Sequence, residues 1–326
     1  MSKLLEINDL HVQYNTDDAV VYALNGVTIS LEKGETVGLV GETGAGKTTL
    51  ALSILRLLPD DVGEITAGSI EYDGTDLLSL SKKEIRKVRG EKISMIFQDP
   101  MTSLNPTKTV GQQVREVLDL HFSDLSPAQK EKKVDDLFRM VGIPPERQTE
   151  HPFQFSGGMK QRIVIAMALI GEPELILADE PTTALDVTIQ AQILELMRRL
   201  QAEFNTAMLL ITHDLGVVLE VCTRVAVIYG GEIVEIGTIE DVYNKEDNHP
   251  YTEGLFKCIP ELKTETARLT PIAGNMVNPE ELPVGCRFYD RCIYRTDECS
   301  TETPGFYTNG AHSIMCFRYR EKWGRK

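Results

Sequence analysis

Two hydrophobic periods alternate along the first 240 residues. Residues 36–40, 93–97, 175–178 and 207–212 are short apolar runs without charge, and each reads as a buried strand with a functional turn just after it. Helical spacing fills the intervals: residues 47–58, stopped by Pro59; 110–120; 127–141, closed by Gly142 and Pro144; and 163–170. Residues 225–229 and 232–236 flank Gly230-Gly231, the dipeptide of a tight hairpin turn.

Strand and helix in alternation predict an α/β domain over residues 1–240, with a helical insertion over about 99–171. Beyond His249-Pro250-Tyr251-Thr252, prolines at 260, 271, 279 and 283 break regular structure, so residues 241–326 are expected to form a small irregular C-terminal extension. A length of 326 residues suits one large domain with such an appendix.

Charge narrows the partners. Against 34 Lys and Arg stand 49 Asp and Glu, a net charge of -15, which opposes binding to a nucleic-acid backbone or an anionic lipid surface. Charged residues interrupt every apolar run before it could span a bilayer. Residues 1–6 lack the apolar core and cleavage site of a secretory signal, so the chain is expected in the cytoplasm.

Gly41-Glu42-Thr43-Gly44-Ala45-Gly46-Lys47-Thr48 fits G-x-x-x-x-G-K-[ST] between the first buried strand and its helix. Glycines let the backbone curl so that N–H groups point inward, and the helix start adds its positive end. Lys47 is expected to place a charge on β- and γ-phosphates, Thr48 to ligate Mg²⁺, and Thr49 to add a hydroxyl nearby.

Downstream residues carry a family resemblance. Phe155-Ser156-Gly157-Gly158-Met159-Lys160-Gln161-Arg162 resembles the signature sequence of ABC ATPases, where Ser156 is an N-cap and Gly157-Gly158 leaves N–H groups open to an anion. Leu175-Ile176-Leu177-Ala178-Asp179-Glu180 resembles the Walker B motif, and Thr183-Ala184-Leu185-Asp186 the D-loop. Gln98 is similar to the Q-loop glutamine, His213 to the H-loop histidine, and Tyr14, 27 positions before Gly41 on what reads as an edge strand, to the aromatic that stacks on adenine; Tyr22 is the alternative.

The resemblance implies a P-loop ABC ATPase domain, with a RecA-like core, an antiparallel β subdomain and a helical subdomain. It also implies roles. Asp179 holds Mg²⁺ through its water shell, Glu180 is the general base, His213 orients base and water, and Gln98 contacts Mg²⁺ and water. Ser156, Gly157, Gly158 and Asp186 would complete the site of a partner subunit across a head-to-tail dimer.

Residues 98–106 and 249–252 are similar to the D-type ATPase subunit of dipeptide, oligopeptide and nickel importers. That family pairs such a subunit with a distinct F-type ATPase beneath two transmembrane permease subunits, fed by an external solute-binding protein. The resemblance therefore implies a motor at the cytoplasmic face of the membrane, hydrolysing ATP to power uptake of peptides or a related solute. The alternative is a soluble, non-transport ABC ATPase acting as a regulator or on nucleic acid, and a further one a redox module.

Six cysteines occur, and four cluster as Cys286-x5-Cys292-x6-Cys299-x16-Cys316, without the paired spacing of common zinc sites. A [4Fe-4S] cluster is the preferred reading, with the charge of thiolates and cluster offset by Arg287, Arg291 and Arg295; structural zinc is the alternative. The family resemblance points the same way, although Ile293 stands where relatives often have proline. Cys222 and Cys258 are expected to be small, at least partly buried hydrophobes.

Overall fold

The computed structural model describes residues 3–183, 185–243, 246–258 and 271–325; Ala184 and Pro260 lie outside them. The chain opens with β1 (Lys3–Asn15) and β2 (Val20–Glu32), then β3 (Thr36–Val40) and α1 (Lys47–Ile54). β4 (Gly63–Tyr72), β5 (Thr75–Asp76), α2 (Lys82–Val88) and β6 (Ile93–Ile96) precede four helices, α3 (Pro100–Ser103), α4 (Val110–His121), α5 (Pro127–Met140) and α6 (Gly157–Leu169). Next come β7 (Leu175–Asp179), α7 (Val187–Phe204), β8 (Ala207–Thr212), α8 (Leu215–Val221), β9 (Arg224–Tyr229) and β10 (Glu232–Thr238). The chain closes with α9 (Ile239–Tyr243), α10 (Pro250–Lys257), α11 (Asp297–Thr301), β11 (Tyr307–Asn309), β12 (His312–Ile314) and β13 (Gly324–Arg325).

These elements form two compact units. One comprises Glu32–Glu35 and Ser79–Leu210, the other Lys3–Leu31, Thr36–Leu78 and Ile211–Lys326. In the first, β6 pairs in parallel with β7, Ile93 opposite Leu175, and β8 neighbours β7. Thr109 with Gln112, and Ser126 with Gln129, close capping boxes at α4 and α5, which fixes where these helices begin. α6 buries Ile163, Ile165 and Ala166, and its second half, from Ile163 to Leu169, is apolar all round, as a helix packed on more than one side requires.

The second unit holds an antiparallel sheet in the order β2-β1-β4-β5, and strands in the order β13-β11-β12-β10-β9-β3. All five residues of β3 are buried, as an unbroken apolar run predicts. β9 and β10 form the expected hairpin, with φ of 55° at Gly230 and 79° at Gly231, the left-handed region that a tight turn of this kind requires.

Three expectations change. α1 ends at Ile54 and does not run to Leu58, because Arg56 takes φ 51° and the Leu57 N–H turns back to the Leu52 carbonyl at 2.8 Å, a Schellman closure reached before Pro59. β1, read as an edge strand, lies between β2 and β4. The irregular tail contains strands: β12 pairs with β10, Ile314 opposite Glu235, and Tyr307, Ile314, Tyr319 and Trp323 make a small core beside it. Glu235 anchors that contact, fully buried, with Asn248 Nδ2 at 2.8 Å, His312 Nε2 at 2.7 Å and the His249 N–H at 2.8 Å.

Candidate functional site

The phosphate loop curls between β3 and α1. Lys47 is buried, and its Nζ donates to the carbonyls of Gly41 at 2.8 Å and Glu42 at 3.1 Å, so the ammonium sits inside the ring of backbone. Gly46 has φ 101°, and a Cβ there would stand 2.6 Å from the Ala23 carbonyl, so only glycine fits. α1 starts at Lys47 without a side-chain cap, and the N-terminus of a helix favours negative charge. Thr48 is exposed at this start, while Thr49 lies 3.2 Å from the Tyr14 hydroxyl, which joins the end of β1 to α1.

Asp179 and Glu180 are both buried at the end of β7. Glu180 takes φ 45°, a strained conformation for a residue with a side chain, and such strain concentrates at functional positions. Its Oε2 accepts from Gln98 Nε2 at 2.9 Å and from Thr183 Oγ1 at 2.9 Å. Two residues that lie 82 apart in sequence are thus brought together, and Thr183 is a partner that the sequence motif alone did not single out.

At the start of α6, Ser156 caps the helix, its Oγ accepting from the Met159 N–H at 3.4 Å. A Cβ on Gly158 would meet Ile189 Cγ2 at 2.7 Å, so the glycine admits α7 to close approach. Asp186 caps α7, its carboxylate accepting from the Ile189 N–H at 3.0 Å. His213 follows β8 and is exposed; it belongs to the unit of the phosphate loop, whereas Gln98, Ser156, Asp179, Glu180 and Asp186 belong to the other.

Among the described residues no group of three or more His, Cys, Asp or Glu side chains is arranged to hold a metal ion, so the expected cluster is not shown. The four thiols do line one cavity of about 190 Å³, together with His249, Phe288 and Arg318. Burial pushes the Cys286 thiol up to about 12 and the Cys316 thiol up to about 11. The basic residues differ from expectation. Arg287 is taken by Glu232 at 3.3 Å, Arg291 by Glu42, and Arg295 by the Asp290 carbonyl, and it is Arg318 that stands at the cavity. Cys222 is buried as expected, but Cys258 is exposed.

Comparison with known proteins fits these parts. Residues 24–183 match the ABC transporter family model, and residues 234–299 match the model of the oligopeptide/dipeptide transporter C-terminal region. The oligopeptide transport ATP-binding protein AppD of Bacillus subtilis (strain 168) is 46% identical over 99% of this chain and 98% of its own length. The dipeptide transport ATP-binding protein DppD of the same organism is 48% identical over 97% of this chain and 95% of its own. An ATP-binding cassette solved as a dimer in a post-hydrolysis state with ADP and Pi matches with a TM-score of 0.65 at 28% identity, over 72% of this chain and 98% of that one.

The fold is therefore that of a P-loop ABC ATPase with mixed α/β sheets. The chain belongs to the family of ATP-binding subunits of oligopeptide and dipeptide ABC transporters, ATPases coupled to transport that work with membrane permease subunits. Among the described residues no helix is long and apolar enough to cross a membrane.

Proposed function

We propose that this chain is an ATP-hydrolysing motor at the cytoplasmic face of an importer for peptides, pairing with a distinct F-type ATPase. Carrying the reading is a match to peptide-transport ATP-binding proteins over nearly the whole length, together with a phosphate loop whose lysine is already drawn inside it. Lys47 and the loop N–H groups hold the phosphates, Tyr14 the adenine, and Thr48, Gln98 and Asp179 the Mg²⁺ that offsets phosphate charge. Glu180 takes the proton of the attacking water, and Gln98 and Thr183 aim its carboxylate. His213 orients the γ-phosphate and water. Ser156, Gly157, Gly158 and Asp186 close on the nucleotide of the second ATPase, which makes two half-sites one machine.

Permease contact is supported by exposed apolar side chains beside Gln98, Phe97 and Met101, and by a separate one, Phe153, just before the signature. These are the anchors that a docking permease helix needs. The cysteine cavity fits a [4Fe-4S] cluster better than zinc, since four thiols line a space far larger than one ion. Cys286, Cys292, Cys299 and Cys316 would hold such a cluster, which would tie together a tail with a small core of its own.

Gentle solubilisation of membranes from the native cell, with this chain tagged, tests the assembly. Two permease subunits, a second ATPase and a solute-binding protein should co-purify. Recovery of soluble or nucleic-acid partners alone would overturn the transport reading in favour of a regulatory ATPase.

A further inference from the structure

One side chain of the cysteine segment reaches the phosphate loop. Arg291, next to Cys292, grips Glu42 with both arms, Nη1 to Oε2 at 2.6 Å and Nη2 to Oε1 at 3.0 Å, and its side chain is only 5% exposed. Its remaining donors are used as well, Nε on the Ala273 carbonyl at 3.1 Å and Nη2 on the Ile272 carbonyl at 3.5 Å, while Nη1 also reaches the Tyr229 hydroxyl at 3.5 Å. The Tyr251 hydroxyl accepts from the Glu42 N–H at 2.9 Å, so side chain and backbone of this one loop residue are both held from the C-terminal part of the chain. Phe288, which lines the cysteine cavity, packs against Tyr229 and Tyr251 with ring centroids 5.2 and 5.5 Å apart.

Glu42 poses an electrostatic problem that this arrangement answers. A carboxylate within a loop that binds a triphosphate repels its ligand if left unpaired. Arg291 neutralises it in a planar, two-point geometry that lysine cannot reproduce, and turns it toward the cysteine segment.

We propose that Arg291 is a positioning residue for ATP. It pairs with Glu42, holds the loop in its phosphate-accepting arrangement, and makes ATP affinity depend on the cysteine segment being seated. The inference rests on the phosphate loop being the ATP site.

The test is equilibrium binding of Mg-ATP to the full-length chain, with bound-metal content and Tm measured alongside and steady-state hydrolysis measured in the assembled complex. Arg291→Gln should weaken ATP binding and raise KM by roughly tenfold, the cost of a like charge left beside the phosphates. kcat at saturating ATP should stay within about twofold, and metal content should hold. Adding Glu42→Gln to Arg291→Gln should recover most of the lost affinity, because the repelling carboxylate is gone; a purely structural role for Arg291 predicts no such rescue. Parental affinity in Arg291→Gln, or an equal loss in single and double variants, overturns the proposal. If Arg291→Gln fails to fold, Glu42→Gln carries the test. It leaves the Arg291 charge unopposed beside the loop, so ATP affinity should rise several-fold at unchanged metal content and Tm; parental or lower affinity refutes the pairing role. A parental chain that binds no ATP would instead refute the nucleotide-site reading itself.

Discussion

Glu180 is held in a left-handed backbone conformation with two donors on one carboxylate oxygen, an arrangement that fixes its direction before any substrate arrives. Glu180→Gln keeps the shape and removes the base, so hydrolysis should fall by at least about 100-fold while ATP binding persists, and an ATP-bound closed dimer should accumulate on gel filtration. Hydrolysis at the parental rate in the assembled complex would remove Glu180 from that role. Lys47→Ala should act on binding instead. Losing a charged donor to the phosphates, and the tie to the Gly41 and Glu42 carbonyls, should raise the ATP Kd by roughly 10–100-fold in a titration. Gln98 was legible at this scale from its motif, whereas Thr183 was not, since a hydroxyl in a loop announces a partner only once the backbone places it.

Elements carry the signature site through their caps. Ser156 satisfies an orphan N–H at the start of α6, and replacing it with alanine should cost about 1 kcal/mol in unfolding free energy, whereas Ser156→Gly should cost only a few tenths. If Ser156 also meets the partner's nucleotide, both variants should lose ATP-driven dimerisation, and the gap between the stability and dimerisation effects separates cap from site. At this scale the sequence was most readable where a local rule acts alone: β3 and β8 match their predicted limits, and α4 and α5 begin at their capping boxes. α1 was overextended because helical spacing continues past the residue that stops it. The Schellman turn at Arg56 uses no glycine, so composition did not mark it.

Across the whole molecule, the tail is joined to the sheet. Glu235 on β10 meets His312, Asn248 and the His249 backbone, so Glu235→Ala leaves several buried donors unpaired and should lower stability by about 3–5 kcal/mol in denaturant unfolding. Protection of β11 and β12 in hydrogen exchange should be lost with it; retained protection would mean that the small core at Trp323 seats the tail unaided. Anaerobically purified chain should carry about four irons, with matching labile sulfide, and Cys292→Ser should reduce both. One zinc and no iron would decide for the other metal.

Local chemistry made β3, β8, the phosphate loop between β3 and α1, and the starts of α4 and α5 readable, because each is a short run whose residue types and spacing answer one physical need. Tertiary structure alone decided the rest. It brought Gln98 to Glu180 across 82 positions, made β1 an interior strand, gave the cysteine cavity Arg318 rather than Arg287, Arg291 or Arg295, and carried Arg291 to Glu42 across 249 positions. Such pairings depend on where long loops close and which surfaces bury each other, and no periodicity along a chain encodes the partner of a side chain that distant.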